Sequence, residues 1–306
     1  MEPNRFRKIA VLMGGPSSER EVSLRSGAAI AKGLRQKGYE VAEVDIRGRE
    51  LELPPGIDAV FIALHGEFGE DGDVQSLLKG RGIPYTGSGV ESSRLAFDKV
   101  GSKKVFIRKG IPTPDYEVLQ RGGKRQLKLP VVVKPVRQGS SIGLHRVFAE
   151  SEWAAAMEDA LKYDADVLVE QFIEGRELTV GVVGDQVLPV VEIRAPGGFY
   201  DYVAKYTKGK TEYLVPAPIT AEQAKECQSL GLRTFVALGC RGMGRVDIRM
   251  TPEGRCHVLE MNSIPGFTET SLLPKAARAA GIEFPELCDR ILRLAVKKKK
   301  KRAACS

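Results

Sequence analysis

The chain reads as an α/β protein that opens on a parallel sheet and continues through α+β units, and three observations predict this. Its first apolar run, KIAVLM (Lys8 to Met13), ends at Gly14-Gly15 and leads into an amphipathic helical pattern from about Ser23 to Lys37. A second run, AVFIAL (Ala59 to Leu64), again ends in a Gly-rich polar loop, HGEFGEDG. Units of strand, loop and helix build a parallel sheet with helices on its faces, whereas the later apolar runs come as strands separated by turns and single helices. In parallel sheets ligands collect beyond the carboxyl ends of the strands, where both loops lie.

After TGSG (Thr86 to Gly89) a helix is expected through about Lys109, stopped by Gly110 and the prolines of IPTPDY, a linker signal. LPVVVKP (Leu129 to Pro135) reads as a buried strand, followed by a Gly/Ser loop, a further strand, a helix near Ser151 to Leu161 and the strand VLVEQF (Val167 to Phe172). Strands follow from Glu177 to Ile193. Then come a Gly/Tyr/Lys loop from about Gly197 to Pro218, long enough to serve as a lid, a helix from about Thr220 to Leu238, a hairpin and two closing helices. The expected segments are 1–97, 98–180, 181–296 and a basic tail, 297–306.

Composition narrows the class. At 306 residues, 42% hydrophobic and 28% charged, the chain is long enough for two or three structural units of a globular protein. No apolar run approaches the roughly 18 to 20 residues of a transmembrane helix, and the start lacks a signal peptide's apolar stretch, so a cytoplasmic protein is expected. Five cysteines (Cys227, Cys240, Cys256, Cys288, Cys305) form no CxxC pair and read as reduced packing residues. The net charge of +8 owes six positives to the run Lys297 to Arg302, which leaves 41 basic against 39 acidic residues elsewhere. The body is nearly neutral, so no specific nucleic-acid partner is expected, and the run reads as a solvated end.

Three clusters carry chemistry. GMGRVDIRMTPEGRCHVLEMNSIPG (Gly242 to Gly266) reads as two strands around a turn at Thr251 to Gly254, pairing Met250 with Arg255 and setting Arg245 opposite Glu260. Arg245, Asp247, Glu260 and Asn262 then share one face, and Ile248, Leu259 and Met261 the other. Oxygen ligands of this kind suit Mg²⁺; a solvent face laced with salt bridges is the alternative on pattern alone. The strand ends in Asn-x-x-Pro-Gly, a turn that leaves backbone N–H groups free for an anion. Second, Lys134 closes an apolar strand just before VRQGSSIG (Val136 to Gly143), a loop that could fold over phosphates although it is no Walker loop. A buried ammonium needs an anionic partner. Third, in EQFIEGRELTV, Glu170 and Glu177 flank an apolar connection and could accept from an adenine amino group and ribose hydroxyls, or be ordinary surface glutamates.

Together GGPSSEREVS, LHGEFGEDG, YTGSG, DKVGSKK, VVVKPVRQGSSIG, EQFIEGRELTV, FYDYVAKY, GMGRVDI and LEMNSIPGFTETSLLPKAA resemble, in order and spacing, the D-alanine:D-alanine ligases of the ATP-grasp superfamily. The resemblance runs from about Lys8 to Val296. It implies three domains with ATP between two antiparallel sheets, and an acyl phosphate made from the first D-alanine before the second attacks. Lys99, Lys134, Ser141 and Lys205 are implied on the nucleotide phosphates, Glu170 and Glu177 on adenine and ribose, and Asp247, Glu260 and Asn262 on two Mg²⁺ ions, with Mn²⁺ able to substitute. Glu19 resembles the anchor of the first substrate's ammonium, in a hydrogen-bonded set with Ser140 and Tyr206, and His65 is implied nearby. Arg245 and the Gly266 N–H are implied as oxyanion donors, and Arg245, Ser271 and the Leu272 backbone as holders of the second substrate's carboxylate. Tyr206 in AKY favours D-alanine over D-lactate. Gln138 departs from the acidic residue of many members, which bears on loop closure. A homodimer is implied, and another ATP-grasp carboxylate–amine ligase is the alternative.

Overall fold

The computed structural model describes residues 6–195 and 211–295, and these form three sheets. In the first, β1 (Lys8–Gly14) runs parallel to β2 (Glu40–Ile46) on one side and to β3 (Ala59–Ile62) on the other. β1 and β3 are buried almost throughout, which is why they read as unbroken apolar runs. Helix α1 (Arg20–Gln36) begins three residues earlier than its apolar pattern suggests, because its first turn is polar, with Arg20 bonded to Asp45 and to the Ile46 carbonyl. Its buried stripe includes Gly27, where a Cβ would stand 2.5 Å from that of Met13, so the helix closes on β1 only with glycine there.

Helices α2 (Asp73–Gly80), α3 (Val90–Phe97) and α4 (Lys99–Arg108) follow. The single helix expected after Thr86 to Gly89 is two. Asp98 is extended between them (ψ 101°) and its carboxylate accepts from the Gly101 N–H at 2.8 Å, a side-chain cap that starts α4 afresh.

The second sheet has the order β4-β7-β5-β6, from β4 (Tyr116–Leu119), β5 (Val131–Pro135), β6 (His145–Val147) and β7 (Val167–Gln171), all antiparallel. Val131, Val133, Val167 and Val169 pack on one face with α5 (Glu150–Ala160). Val132 pairs with Glu170 and Lys134 with Leu168, which makes Lys134 and Glu170 diagonal neighbours on the other face.

The third sheet runs β11-β10-β8-β12-β13, with β9 (Gln186–Val187) on β8 (Arg176–Val183). β10 (Val191–Arg194) and β11 (Glu212–Leu214) lie on one side, β12 (Met243–Met250) and β13 (Cys256–Asn262) on the other, and α6 (Ala221–Ala237) covers one face. The expected register of the last hairpin needs correction. Met250 pairs with Cys256, Asp247 with Glu260 and Arg245 with Asn262, with a shift between Asp247 and Ile248. The shift skips Leu259, a bulge residue that leaves the core while Val258 takes its place beside Ile248 and Met261.

Helices α7 (Leu272–Ala279) and α8 (Phe284–Arg293) pack on β8 and on α1 respectively. Their apolar faces join that of the first sheet, with Phe267 between Phe61 and Phe284 at ring distances of 5.9 and 5.5 Å. Tyr39 donates to Asp289, which also pairs with Arg293. No helix among the described residues is long and apolar enough to cross a membrane.

Candidate active site

A cleft of about 640 Å³ opens where the loops after β1 and β3, the Gly/Ser loop after β5, strands β12 and β13 and the start of α7 converge. Its wall takes Glu19, His65, Lys99, Ser140, Arg245, Glu260, Asn262, Gly266, Ser271 and Leu272 of the residues expected at a site. A small annex beside it adds Lys134 and Ser141. Glu170, Glu177 and Asp247 line neither cavity, and Lys205 and Tyr206 lie outside the described residues, as does the run Lys297 to Arg302.

Glu19 stands at the start of α1, its backbone N–H bonded to Ser17 Oγ at 3.2 Å. Its carboxylate accepts from the hydroxyl of Ser140, 121 residues on. Ser140 and Ser141 hold positive φ (50° and 58°), a left-handed backbone that side chains adopt at a cost of about 1 kcal/mol or more and that turns the loop toward Glu19. Gly139 permits the approach, since a Cβ there would meet Glu19 Oε2 at 2.5 Å. Gln138 accepts from the Gly139 N–H at 3.0 Å through its side chain and from Lys99 Nζ at 2.6 Å through its carbonyl.

His65 is buried among neutral partners. Nδ1 lies 3.0 Å from the Ile264 carbonyl and Nε2 3.1 Å from Ser26 Oγ, which itself accepts from the Phe267 N–H at 3.2 Å. That chain assigns the proton to Nδ1 and makes Nε2 the acceptor of the Ser26 hydroxyl. Burial lowers its pKa, so the ring is neutral and ties the Ile264 to Phe267 loop to α1. Glu70, which sequence reasoning missed, sits 4.0 Å from His65 and accepts from the Gly66 N–H. Burial, reinforced by the charge of Glu19, pushes the Glu70 carboxyl up to about 8.

On β12, Arg245 grips Asp247 with two bonds of 2.9 and 2.8 Å. Asp247 also accepts from Thr179 Oγ1 at 2.7 Å and from Asn262 Nδ2 at 2.9 Å. Glu260 faces Asp247 across the strands and lies 3.7 Å from Lys99 Nζ. Two carboxylates and an amide on one face form an oxygen-only donor set that fits a hard divalent cation such as Mg²⁺. Ser271 occupies the N-cap of α7, its Oγ accepting from the Thr268 N–H at 2.9 Å, and Leu272 and Lys275 of the helix's first turn line the cleft.

The expected anionic partner of Lys134 is Glu170, bonded also to Lys103. Burial works against the charge of Glu170, yet the two ammonium groups, that of Lys103 first, outweigh it and hold the carboxyl at about 2. Glu177 pairs with buried Arg249 at 3.0 Å across β8 and β12, and Arg249 also donates to the Gly175 carbonyl. Lys103 and Arg249 escaped the sequence reading because cations on a helix and a strand look like solvated faces. Their one signal is the two neighbouring glutamates. Of the cysteines, Cys227 and Cys256 stand 3.5 Å apart, unbonded, in the third sheet's core, and Cys305 lies outside the described residues.

Known proteins are similar to this chain in sequence and fold. Residues 104–293 match the family model described as D-ala D-ala ligase C-terminus, and residues 47–88 that of D-ala D-ala ligase N-terminus. The chain is 53% identical over 292 residues to the D-alanine--D-alanine ligase of Syntrophotalea carbinolica, covering 94% of this chain and 95% of the relative. It is 49% identical over 294 residues to that of Methylacidiphilum infernorum, covering 96% and 97%. Among solved structures, the VanG D-Ala:D-Ser ligase from Enterococcus faecalis superposes with a TM-score of 0.85 at 32% identity, covering 95% of this chain and 100% of the other. The Bacillus anthracis D-alanine--D-alanine ligase complexed with ATP gives 0.84 at 33% identity, covering 94% and 97%.

Proposed function

The chain belongs to the D-alanine--D-alanine ligase family and has its ATP-grasp fold, and from that premise we propose how its cleft carries the reaction. The protein joins two D-alanine molecules into D-alanyl-D-alanine, with ATP converted to ADP and phosphate, for peptidoglycan synthesis. One observation carries the assignment of residues: the hydrogen bond from Ser140 to Glu19 closes two distant loops over the same cleft that Arg245 and Glu260 enter from the third sheet.

The ammonium of the first D-alanine binds Glu19, oriented by Ser140, with His65 and Tyr206 beside it. Its carboxylate attacks the γ-phosphorus, forming a carboxyl–phosphate bond as the bond to ADP breaks. Lys99, Lys134, Ser141 and Lys205 hold the phosphates, and Glu170 and Glu177 the adenine and ribose. Asp247, Glu260 and Asn262 would hold two Mg²⁺ ions, with Mn²⁺ able to substitute, and a metal bound there would offset phosphate charge. The second D-alanine seats its carboxylate on Arg245, the Ser271 hydroxyl and the Leu272 N–H. Its amine, having lost a proton, attacks the acyl carbonyl. Arg245 and the Gly266 N–H donate to the oxyanion, which collapses and expels phosphate. The reaction draws on cytoplasmic ATP, so we place the enzyme in the cytoplasm, and as a homodimer, which light scattering of the purified protein checks.

Phosphate release with Mg²⁺, ATP and D-alanine, against L-alanine and no amino acid, tests this reading, with the product identified by mass. Release confined to D-alanine, with the dipeptide, is expected. A second amino or hydroxy acid preferred over D-alanine would move the assignment to another carboxylate–amine ligase.

A further inference from the structure

Glu170 is met by two ammonium groups that differ in what they can do. Lys134 ends β5 and reaches the annex of the cleft beside Lys99, Ser140 and Ser141, so it can turn from Glu170 to a ligand there. Lys103, one turn into α4, has no exposed surface and lines neither the cleft nor its annex. It is anchored from behind: Nζ stands 2.5 Å from Glu170 Oε1 and donates to Thr113 Oγ1 at 2.6 Å, while Thr113 donates to the Val258 carbonyl at 2.8 Å. The Tyr116 ring lies 5.2 Å from the same ammonium.

A carboxylate this deeply buried keeps its charge only with a cation beside it, and breaking such a pair is costly. With Lys134 as sole partner, each arrival of phosphate would strand Glu170. A second cation that cannot reach the ligand removes the conflict.

We propose that Lys103 is a positioning residue: the standing counter-ion of Glu170 that releases Lys134 to the nucleotide phosphates. This rests on the assignment of Lys134 and Glu170 to the nucleotide given above. It adds a residue that touches no substrate yet governs how strongly phosphates are held.

Calorimetric binding of ADP and of adenosine to the whole chain tests it. In Lys103→Met, Lys134 is the only cation left to Glu170, so ADP affinity falls about tenfold or more while adenosine affinity moves less than about threefold. A merely structural role would weaken both alike, and that result overturns the proposal. In the double variant Lys103→Met with Glu170→Gln no charge is stranded, and the ADP-to-adenosine ratio returns toward the wild-type value. Should Lys103→Met not fold, Thr113→Val, which loosens the anchor, lowers the same ratio by about threefold, and an unchanged ratio there counts against Lys103. Lys134→Met separates the two levels. If it leaves the ratio unchanged, the phosphate role of Lys134 itself is wrong. If it lowers the ratio and Lys103→Met does not, the role of Lys103 alone is overturned.

Discussion

Two glutamates, Glu70 on the cleft wall and the buried Glu170 bonded to Lys134, have been driven in opposite directions. Glu70 lies among loops beside the negative Glu19 and is pushed up to about 8, whereas Glu170 lies in a sheet between two lysines and is held at about 2. Glu170 is buried and Glu70 is 15% exposed on the cleft wall, yet burial raises both carboxyls, and only Glu170 has cations beside it strong enough to reverse the shift. The amino-acid side offers the Glu19 carboxylate, suited to an ammonium. The nucleotide side carries surplus positive charge, suited to phosphate.

The contrast can be broken most severely at the seam between the sides. Glu260→Gln, which removes one of two facing carboxylates, is expected to lower kcat by about a hundredfold or more, and a variant within a few-fold of wild type would remove Glu260 from the metal site. Next in size, Glu19→Gln should raise the KM for the first D-alanine by roughly ten- to a hundredfold and leave the KM for ATP nearly unchanged; steady-state kinetics with each substrate varied separates these. Equal changes in both would erase the division between the sides.

Thermal melting against pH sharpens the comparison further. Because the folded Glu70 carboxyl is raised above its ordinary value of 4.5 to about 8, its contribution to stability is fully present below 4.5 and lost as pH rises through 8. The advantage in Tm of wild type over Glu70→Gln should therefore shrink between about pH 5 and about pH 9. Glu170, lowered to about 2, behaves inversely: its contribution is present above 4.5 and lost as pH falls toward 2, so Glu170→Gln should narrow its deficit in acid. Melting differences flat with pH for both would undo the assigned charge states. The smallest effect belongs to Gln138→Ala, which keeps the carbonyl that Lys99 uses and loses only a contact to the adjacent N–H; kcat/KM should stay within about threefold.

Much of the fold was legible because short apolar runs leading into Gly-rich loops report buried strands directly, as β1, β3 and β5 do. The bulge at Leu259 was not, since an extra residue in a ladder carries no compositional mark and only pairing reveals it. At the site, the shared face of Arg245, Asp247, Glu260 and Asn262 followed from alternation and survived the change of register, because the bulge lies between the turn and these residues. The bond from Ser140 to Glu19 could be inferred only by resemblance: nothing local in either loop specifies a partner 121 residues away. Lys103 was hidden for the opposite reason, as one lysine in a run of two on a helix whose buried face is usually apolar.

The two closing helices complete a core begun more than 200 residues earlier, through Phe284, Leu287 and Ile291 beneath α1. During synthesis on the ribosome, the face of α1 that meets α8 therefore waits uncovered until that helix has emerged. A chain cut before Leu272 would present that face to chaperones and proteases instead of to its own helices.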